Sequence, residues 1–302
     1  LDDPDWYVPT RAAADVTVEG EARRLLGSLH HLEGDREGAR AELGRSVDLL
    51  RHAESPRLLA DALRQRGFIE LFGGSLADAE WHFGEAEAEY RTIGDERGLA
   101  YIEQHRAWLS FMAGDLEVAD ERLHRAAETH SRLGARNGVG WAFGLLAFVR
   151  FFQRRFVEAE DLASVVQTEA LERGDDWAAA MMQTLVADLR LWHGRLDEAM
   201  SNAEQARTRF RRLGDKFGMV QALCAMLRAQ VALGRSAAAQ RSTEELLSLA
   251  EGSPAGVIPL LGVAGGPPHP RGASGAPAPI TPGAVQLFEC AARAVAGKIT
   301  SA

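Results

Sequence analysis

Apolar and polar positions alternate along this chain with the period of a helix. Leu116, Ala119, Leu123, Ala126, His130 and Leu133 follow one another at three-and-four spacing, as do Leu196, Ala199, Ala203, Ala206, Phe210 and Leu213. Each set predicts the buried stripe of one amphipathic helix. No strand-like alternation recurs. No proline stands between Pro56 and Pro254, so that stretch is expected to run helix after helix. From Gly252 to Gly283, by contrast, 16 of 32 residues are Gly or Pro, the composition of a linker or tail. Past it, Val285, Phe288, Ala292 and Val295 stand at helical spacing and predict a short helix within 284–302.

The stripes belong to an internal repeat. Turn-like glycines occupy Gly34, Gly74, Gly114, Gly194 and Gly234, with Arg154 in the vacant slot, always 40 residues apart. Five residues on stand Ala39, Ala79, Ala119, Ala159, Ala199 and Ala239. Seven residues before each turn stand Gly27, Gly67, Ala107, Ala147, Ala187 and Leu227. A second set, Gly94, Gly134, Gly174 and Gly214, falls midway. Gly-Asp pairs at 34–35, 94–95, 114–115, 174–175 and 214–215 end one helix on a left-handed glycine and cap the next with a carboxylate. Each unit is a helical hairpin that buries its face only by stacking on its neighbours.

A small residue, a Gly-Asp turn and an alanine five residues on, as in Ala107, Gly114-Asp115 and Ala119, resemble the tetratricopeptide repeat. The 40-residue period is similar to its longer variant, found in sensor regions of actinobacterial multidomain transcriptional regulators and signalling ATPases. The resemblance covers about residues 22–251. It implies an all-α solenoid of stacked antiparallel hairpins, a right-handed superhelix whose concave groove binds peptides, protein segments or small effectors. The expected organisation is a lead-in over 1–20, six repeats over 21–251, the Pro/Gly-rich tail and the C-terminal helix. Two departures stand out. The family commonly has an aromatic residue four before the turn, and here that column is polar. Arg36 and Ser236 replace the apolar residue after the turn in repeats one and six.

That polar column reads His30, Glu70, Ser110, Arg150, Arg190 and Gln230, with Arg66 and Arg106 one turn earlier. Unpartnered burial of an arginine is expensive, so the stripe is either internally paired or open to solvent. Pairing would join Arg66 to Glu70, Arg106 to Glu103, and Arg190 to Asp188 or a neighbouring repeat. The open alternative is a ligand groove of Arg66, Glu70, Arg106, Arg150 and Arg190, whose guanidinium forks hold carboxylates or a phosphate. Aromatic residues gather in the first helices, with Phe68, Trp108 and Phe148 in one column. Trp108 and Phe148 are the expected apolar walls of the groove. The resemblance puts the aromatic columns on the concave side, the polar reading puts the arginines there, and periodicity leaves both open.

Net charge sharpens the partner class. Lysine plus arginine number 34 against 43 acidic residues, a formal charge of −9, which argues against nucleic-acid binding by this segment. An acidic peptide or a small anionic effector fits the local arginines. No apolar run is long enough to span a membrane. Cys224 and Cys290 make no disulfide framework, so a reducing cytoplasm is expected. No phosphate loop, nucleophile elbow or His-Glu-x-x-His occurs, and the nine histidines show no metal-ligand spacing. No cofactor or metal is expected. The chain opens with Leu1 rather than Met, so the reading is a fragment: a non-catalytic binding or scaffold module, the sensor or protein-interaction region of a larger signalling or transcription regulator. The alternatives are a stand-alone adaptor and, further off, an enzyme with a helical-pocket active site.

Overall fold

The computed structural model describes residues 7–53, 55–73 and 75–251. The expected tail over 252–283 and helix over 284–302 lie outside these residues. The described residues form twelve α-helices: α1 (Tyr7–Leu32), α2 (Arg36–Arg51), α3 (Pro56–Phe72), α4 (Leu76–Thr92), α5 (Glu96–Ala113), α6 (Leu116–Arg132), α7 (Arg136–Phe152), α8 (Phe156–Arg173), α9 (Asp176–Trp192), α10 (Leu196–Leu213), α11 (Lys216–Ala232) and α12 (Ser236–Glu251). The helix α1 runs unbroken across residue 20, where the lead-in was expected to end.

Consecutive helices pack as hairpins, α1 on α2, α3 on α4, α9 on α10 and α11 on α12. Each hairpin passes to the next through its second helix, as α2 on α3, α4 on α5, α8 on α9 and α10 on α11. First helices also touch the next first helix, α1 with α3, α3 with α5 and α9 with α11. The chain divides into two compact units, Leu1–Ala113 with Glu121–Gly138, and Gly114–Asp120 with Val139–Ala302.

The repeat columns have the physical roles that their residues require. All eight turn and midway glycines from Gly34 to Gly234 in the described residues adopt positive φ, between 63° and 87°. Arg154, in the one turn without glycine, takes φ 62°, a left-handed conformation that costs a side-chain-bearing residue about 1–2 kcal/mol. The residue four before the turn closes the helix end with its carbonyl. Asp35 N–H donates to His30, Arg155 to Arg150, Arg195 to Arg190 and Arg235 to Gln230, each at 2.8 Å. Asp35, Asp95, Asp175 and Asp215 accept an amide hydrogen bond three residues on, at 2.9–3.0 Å.

The alanines after the turn are fully buried at helix crossings, Ala39, Ala79, Ala119 and Ala159 without any exposed surface. Ala159 sits among Ala147, Ala163, Leu185 and Leu189. Ala159→Leu should therefore overpack the crossing and lower unfolding free energy by about 1–3 kcal/mol in urea titration. An unchanged midpoint would place that crossing elsewhere.

Candidate functional site

The first helices carry two opposed sets of side chains. Arg106 and Trp108 are two residues apart on α5, and so are Phe148 and Arg150 on α7. Two helical residues lie about 200° apart around the axis, so these neighbours face opposite sides. The structure accordingly separates the expected arginine stripe from its expected aromatic walls.

The arginines reach the second helices. Arg106 bonds Glu80 at 2.9 Å and Glu87 at 2.8 Å, both on α4. Arg150 is buried, bonding Asp120 of α6 at 3.0 Å and its own Gln153 at 2.8 Å, with Glu158 of α8 at 3.3 Å. Arg190 pairs with Glu160 of α8 at 2.6 Å and Glu198 of α10 at 3.5 Å. Glu70, with 3% of its side chain exposed, takes a two-pronged bond from Arg40 of α2, one prong at 2.7 Å. Internal pairing is what the structure shows for these four residues, but through other partners than those expected. Asp188 pairs with Arg228, not Arg190. Arg66 is half-buried beside Gly44, and its Nε makes no hydrogen bond.

The pairs of Glu70, Arg150 and Arg190 obey a rule legible in hindsight. Thirty residues before Glu70 stands Arg40, and thirty before Arg150 and Arg190 stand Asp120 and Glu160. Thirty before neutral Gln230 stands neutral Met200. Where the column changes sign, its partner on the preceding hairpin changes too. The column is a clamp between hairpins.

The rings instead run from first helix to first helix. In the first unit His31 of α1 meets Phe68 of α3 edge-on at 5.7 Å. Phe68 contacts Phe72 at 4.6 Å and His105 of α5 at 5.3 Å, and Phe72 contacts Trp108 at 5.3 Å. Trp108 is only 7% exposed and supports this row from behind, while Phe68 and Phe72 are half-buried and present surface. In the second unit Trp141 of α7 stacks on Trp177 of α9 at 4.7 Å and 18°. Trp177 Nε1 donates to Asp215 at the start of α11. Phe148 and Phe152 lie half-buried over the core cluster, where Phe156 meets Trp192 at 4.8 Å with Arg154 over the indole.

Sequence reasoning missed the polar centre of the first row. Arg64 of α3 lies over the Tyr101 ring, 5.1 Å from its centroid. Its Nε donates to the Tyr90 hydroxyl at 3.3 Å and Nη1 approaches His105 Nε2 at 3.4 Å. Tyr90 in turn donates to Asp61 at 2.6 Å. Burial, then Arg64 and His130, holds His105 well below the usual imidazole range, so it faces Arg64 as a neutral acceptor. Burial raises the Tyr90 phenol, keeping it a donor. A third contact, an ion pair of Nη2 with Asp61 at 3.8 Å, is also long, so no short hydrogen bond occupies the Arg64 fork. The signal available in the sequence was the column Arg24, Arg64, Gln104, one turn from the aromatic column.

Further along the aromatic column stand Asp188 and Arg228. They pair at 2.5 Å with 12% of each side chain exposed. Burial raises the Asp188 carboxyl against the opposing pull of Arg228. Burial also pushes the Cys224 thiol up to about 12, so it is a packing residue and a poor nucleophile. Among the described residues no group of three or more His, Cys, Asp or Glu is placed to hold a metal ion. Among them, too, no helix is long and apolar enough to cross a membrane.

Antiparallel hairpins, glycine turns, alanine crossings and continuous rows on the first helices together define the tetratricopeptide-repeat fold. Two solved structures share it. One is a Rap protein complexed with competence and sporulation factor, at TM-score 0.64 and 13% identity over 84% of this chain and 80% of that one. The other is a signal transduction ATPase with numerous domains and a tetratricopeptide repeat sensor from Pyrococcus horikoshii. It matches at TM-score 0.54 and 13% identity over 84% of this chain and 40% of that one. Among curated proteins the chain is 28% identical over 246 residues to the regulatory protein AfsR of Streptomyces griseus. That match spans 81% of this chain and 24% of the regulator. No family model matches the chain.

Proposed function

We propose that this chain is a non-catalytic sensor or protein-interaction module of a larger cytoplasmic regulator, and that the first-helix rows hold an extended segment of a protein partner. The observation that carries the reading is the pairing of a half-buried aromatic row with one underused guanidinium, Arg64, in the first unit. Phe68 and Phe72 offer apolar contact area, and Arg64 offers donors to a backbone carbonyl or an acidic side chain. A small anionic effector would use Arg64 alone. In the second unit Phe148, with Phe152, plays the corresponding apolar part. Arg106, Arg150, Arg190 and Glu70 act as clamps between hairpins, and Trp108 backs the row. The repeat-sensor ATPase and the AfsR match support the regulatory context.

Peptides selected from a random library against the whole chain test this. Arg64→Ala or Phe72→Ala should weaken the selected peptides by tenfold or more, since anchor residues carry about 2 kcal/mol each. Arg190→Ala should leave affinity unchanged while lowering the melting temperature. Peptides that bind Arg64→Ala and Phe72→Ala as well as the parent, yet lose Arg190→Ala, would return the site to the arginine stripe.

A further inference from the structure

One helix leaves an ordered apolar seam uncovered. On α1, Val18, Ala22, Leu25, Leu29 and Leu32 follow at spacings of four, three, four and three, the a/d spacing of a heptad. All five are exposed, Val18 by 69%, Leu25 by 51%, Leu29 by 55% and Leu32 by 67%. Continued backwards, the same register meets Asp15 and then Arg11, so the apolar seam begins at Val18. From there to Leu32 it runs two heptads, about 21 Å along the helix.

The repeat shows what kind of element belongs there. Forty residues on, Ala62 and Ile69 of α3 occupy the columns of Ala22 and Leu29, and both are buried. Ile69 packs on Ala39 and Leu43 of α2, the second helix of the preceding hairpin. Leu189 of α9 packs likewise with Ala159 and Ala163 of α8. An equivalent hairpin before α1 would join it at residues 12–15, forty before the junction of α2 and α3. Those residues are instead helical, because α1 starts at Tyr7. The covering helix is therefore not joined through the repeat's own turn.

We propose that the occupant is a second copy of this chain, its α1 laid antiparallel along this one about a two-fold axis between Arg23 and Arg24. Size and charge favour that register. It sets Ala22 against Leu25 of the second copy and Val18 against Leu29 of the second copy, small against large in four successive layers. At the flanks Glu19 falls beside Leu26 of the second copy and Glu21 beside Ser28 of the second copy, so no like charges meet there. A parallel pair would instead set Ala22 against Ala22 of the second copy and Leu29 against Leu29 of the second copy, small on small and large on large. Glu19 and Glu21 stay neutralised within their own helix by Arg23 and Arg24. Leu26, itself 45% exposed, extends the seam on one side. Two heptads suffice because packing on α2 already orders α1, so pairing has no helix to nucleate.

Sedimentation equilibrium of the full chain decides the matter. The wild type at tens of micromolar should have twice the 32.8 kDa chain mass. Leu25→Glu with Leu29→Glu should return it to a single chain with unchanged helical circular dichroism, since neither side chain is buried within the chain, and its melting temperature should fall to a value that no longer depends on concentration. Val157→Glu, at a 75%-exposed position on α8, should leave the dimer intact. In a Cys290→Ser background, Ala22→Cys chains mixed with Leu25→Cys chains should oxidise to a mixed disulfide-linked pair faster than either does alone. Faster linkage among Leu25→Cys chains by themselves would mean a parallel coil and overturn this arrangement. A single-chain wild type, a dimer that survives the double substitution, or dissociation by Val157→Glu overturns the proposal. So does a photo-cross-linker at Leu29 that marks residues 284–302 of the same chain, or a foreign protein, in place of a second copy.

Discussion

Gly218→Ala should destabilise the second unit by about 1–3 kcal/mol although alanine is the better helix former by about 1 kcal/mol. A Cβ at Gly218 would stand well inside 3.0 Å of Phe210, a ring with no exposed surface and no room to withdraw. The same clash recurs at Gly98 against Tyr90 and at Gly138 against His130. Where the ring column holds Ala170, the facing residue is Ala178 instead of glycine. The chain has thus already performed the compensating pair of changes at one junction. Phe210→Ala alone should cost about 3–5 kcal/mol through the cavity it leaves. The double substitution should cost less than the sum, because the added methyl enters that cavity. Additive losses in urea unfolding would show that ring and glycine do not share the space.

Acid should loosen the first unit ahead of the second. His82, His105 and His130 are all buried there. Burial, reinforced by Arg66 and, more weakly, Arg51 and Arg40, lowers His82 from 6.5 to about 4 against the opposing pull of Asp78. Burial lowers His105 and His130 in the same direction. A histidine whose folded pKa is depressed stabilises fully above its unfolded pKa. That contribution drains away as pH falls from about 6.5 towards the folded value. His82 alone should withdraw about 2 kcal/mol by pH 5. Urea unfolding at neutral pH and at pH 5 measures this, and His82→Gln should flatten the dependence by that amount. Equal stability at both pH values in the wild type would show that the imidazoles are hydrated in the folded chain.

The backbone was legible because backbone constraints repeat. A left-handed turn asks for glycine and a tight crossing asks for alanine, so each wrote a column at fixed spacing. Even Arg154, which breaks the glycine column, takes the conformation its slot demands. Side-chain partnership was harder to read. The clamps of Glu70, Arg150 and Arg190 join residues thirty apart, across a hairpin boundary, and a column read by itself gives charge without direction. Helical spacing pairs Arg106 with Glu103 on its own helix, whereas its partners Glu80 and Glu87 lie on α4. Arg64 escaped notice because its neighbours Tyr90, Tyr101 and His105 come from two other helices. The face towards which a helix rotates was open in the sequence, and the structure turns Arg106 to Glu80 and Glu87 of α4 and Trp108 to Phe72 of α3.

The sign reversal in the clamp works as an address. Arg40 of the first hairpin fits Glu70 of the second. Were the nascent first hairpin to skip a place and dock on the third, its guanidinium would meet Ser110 with Arg106 behind it, and on the fourth, Arg150. Near-identical backbones invite such slipped assemblies, and a like-charge meeting at a buried junction penalises them. The first two hairpins therefore carry their own lock against misthreading. Exchanging the charges, Arg40→Glu with Glu70→Arg, would keep the bond and erase the address.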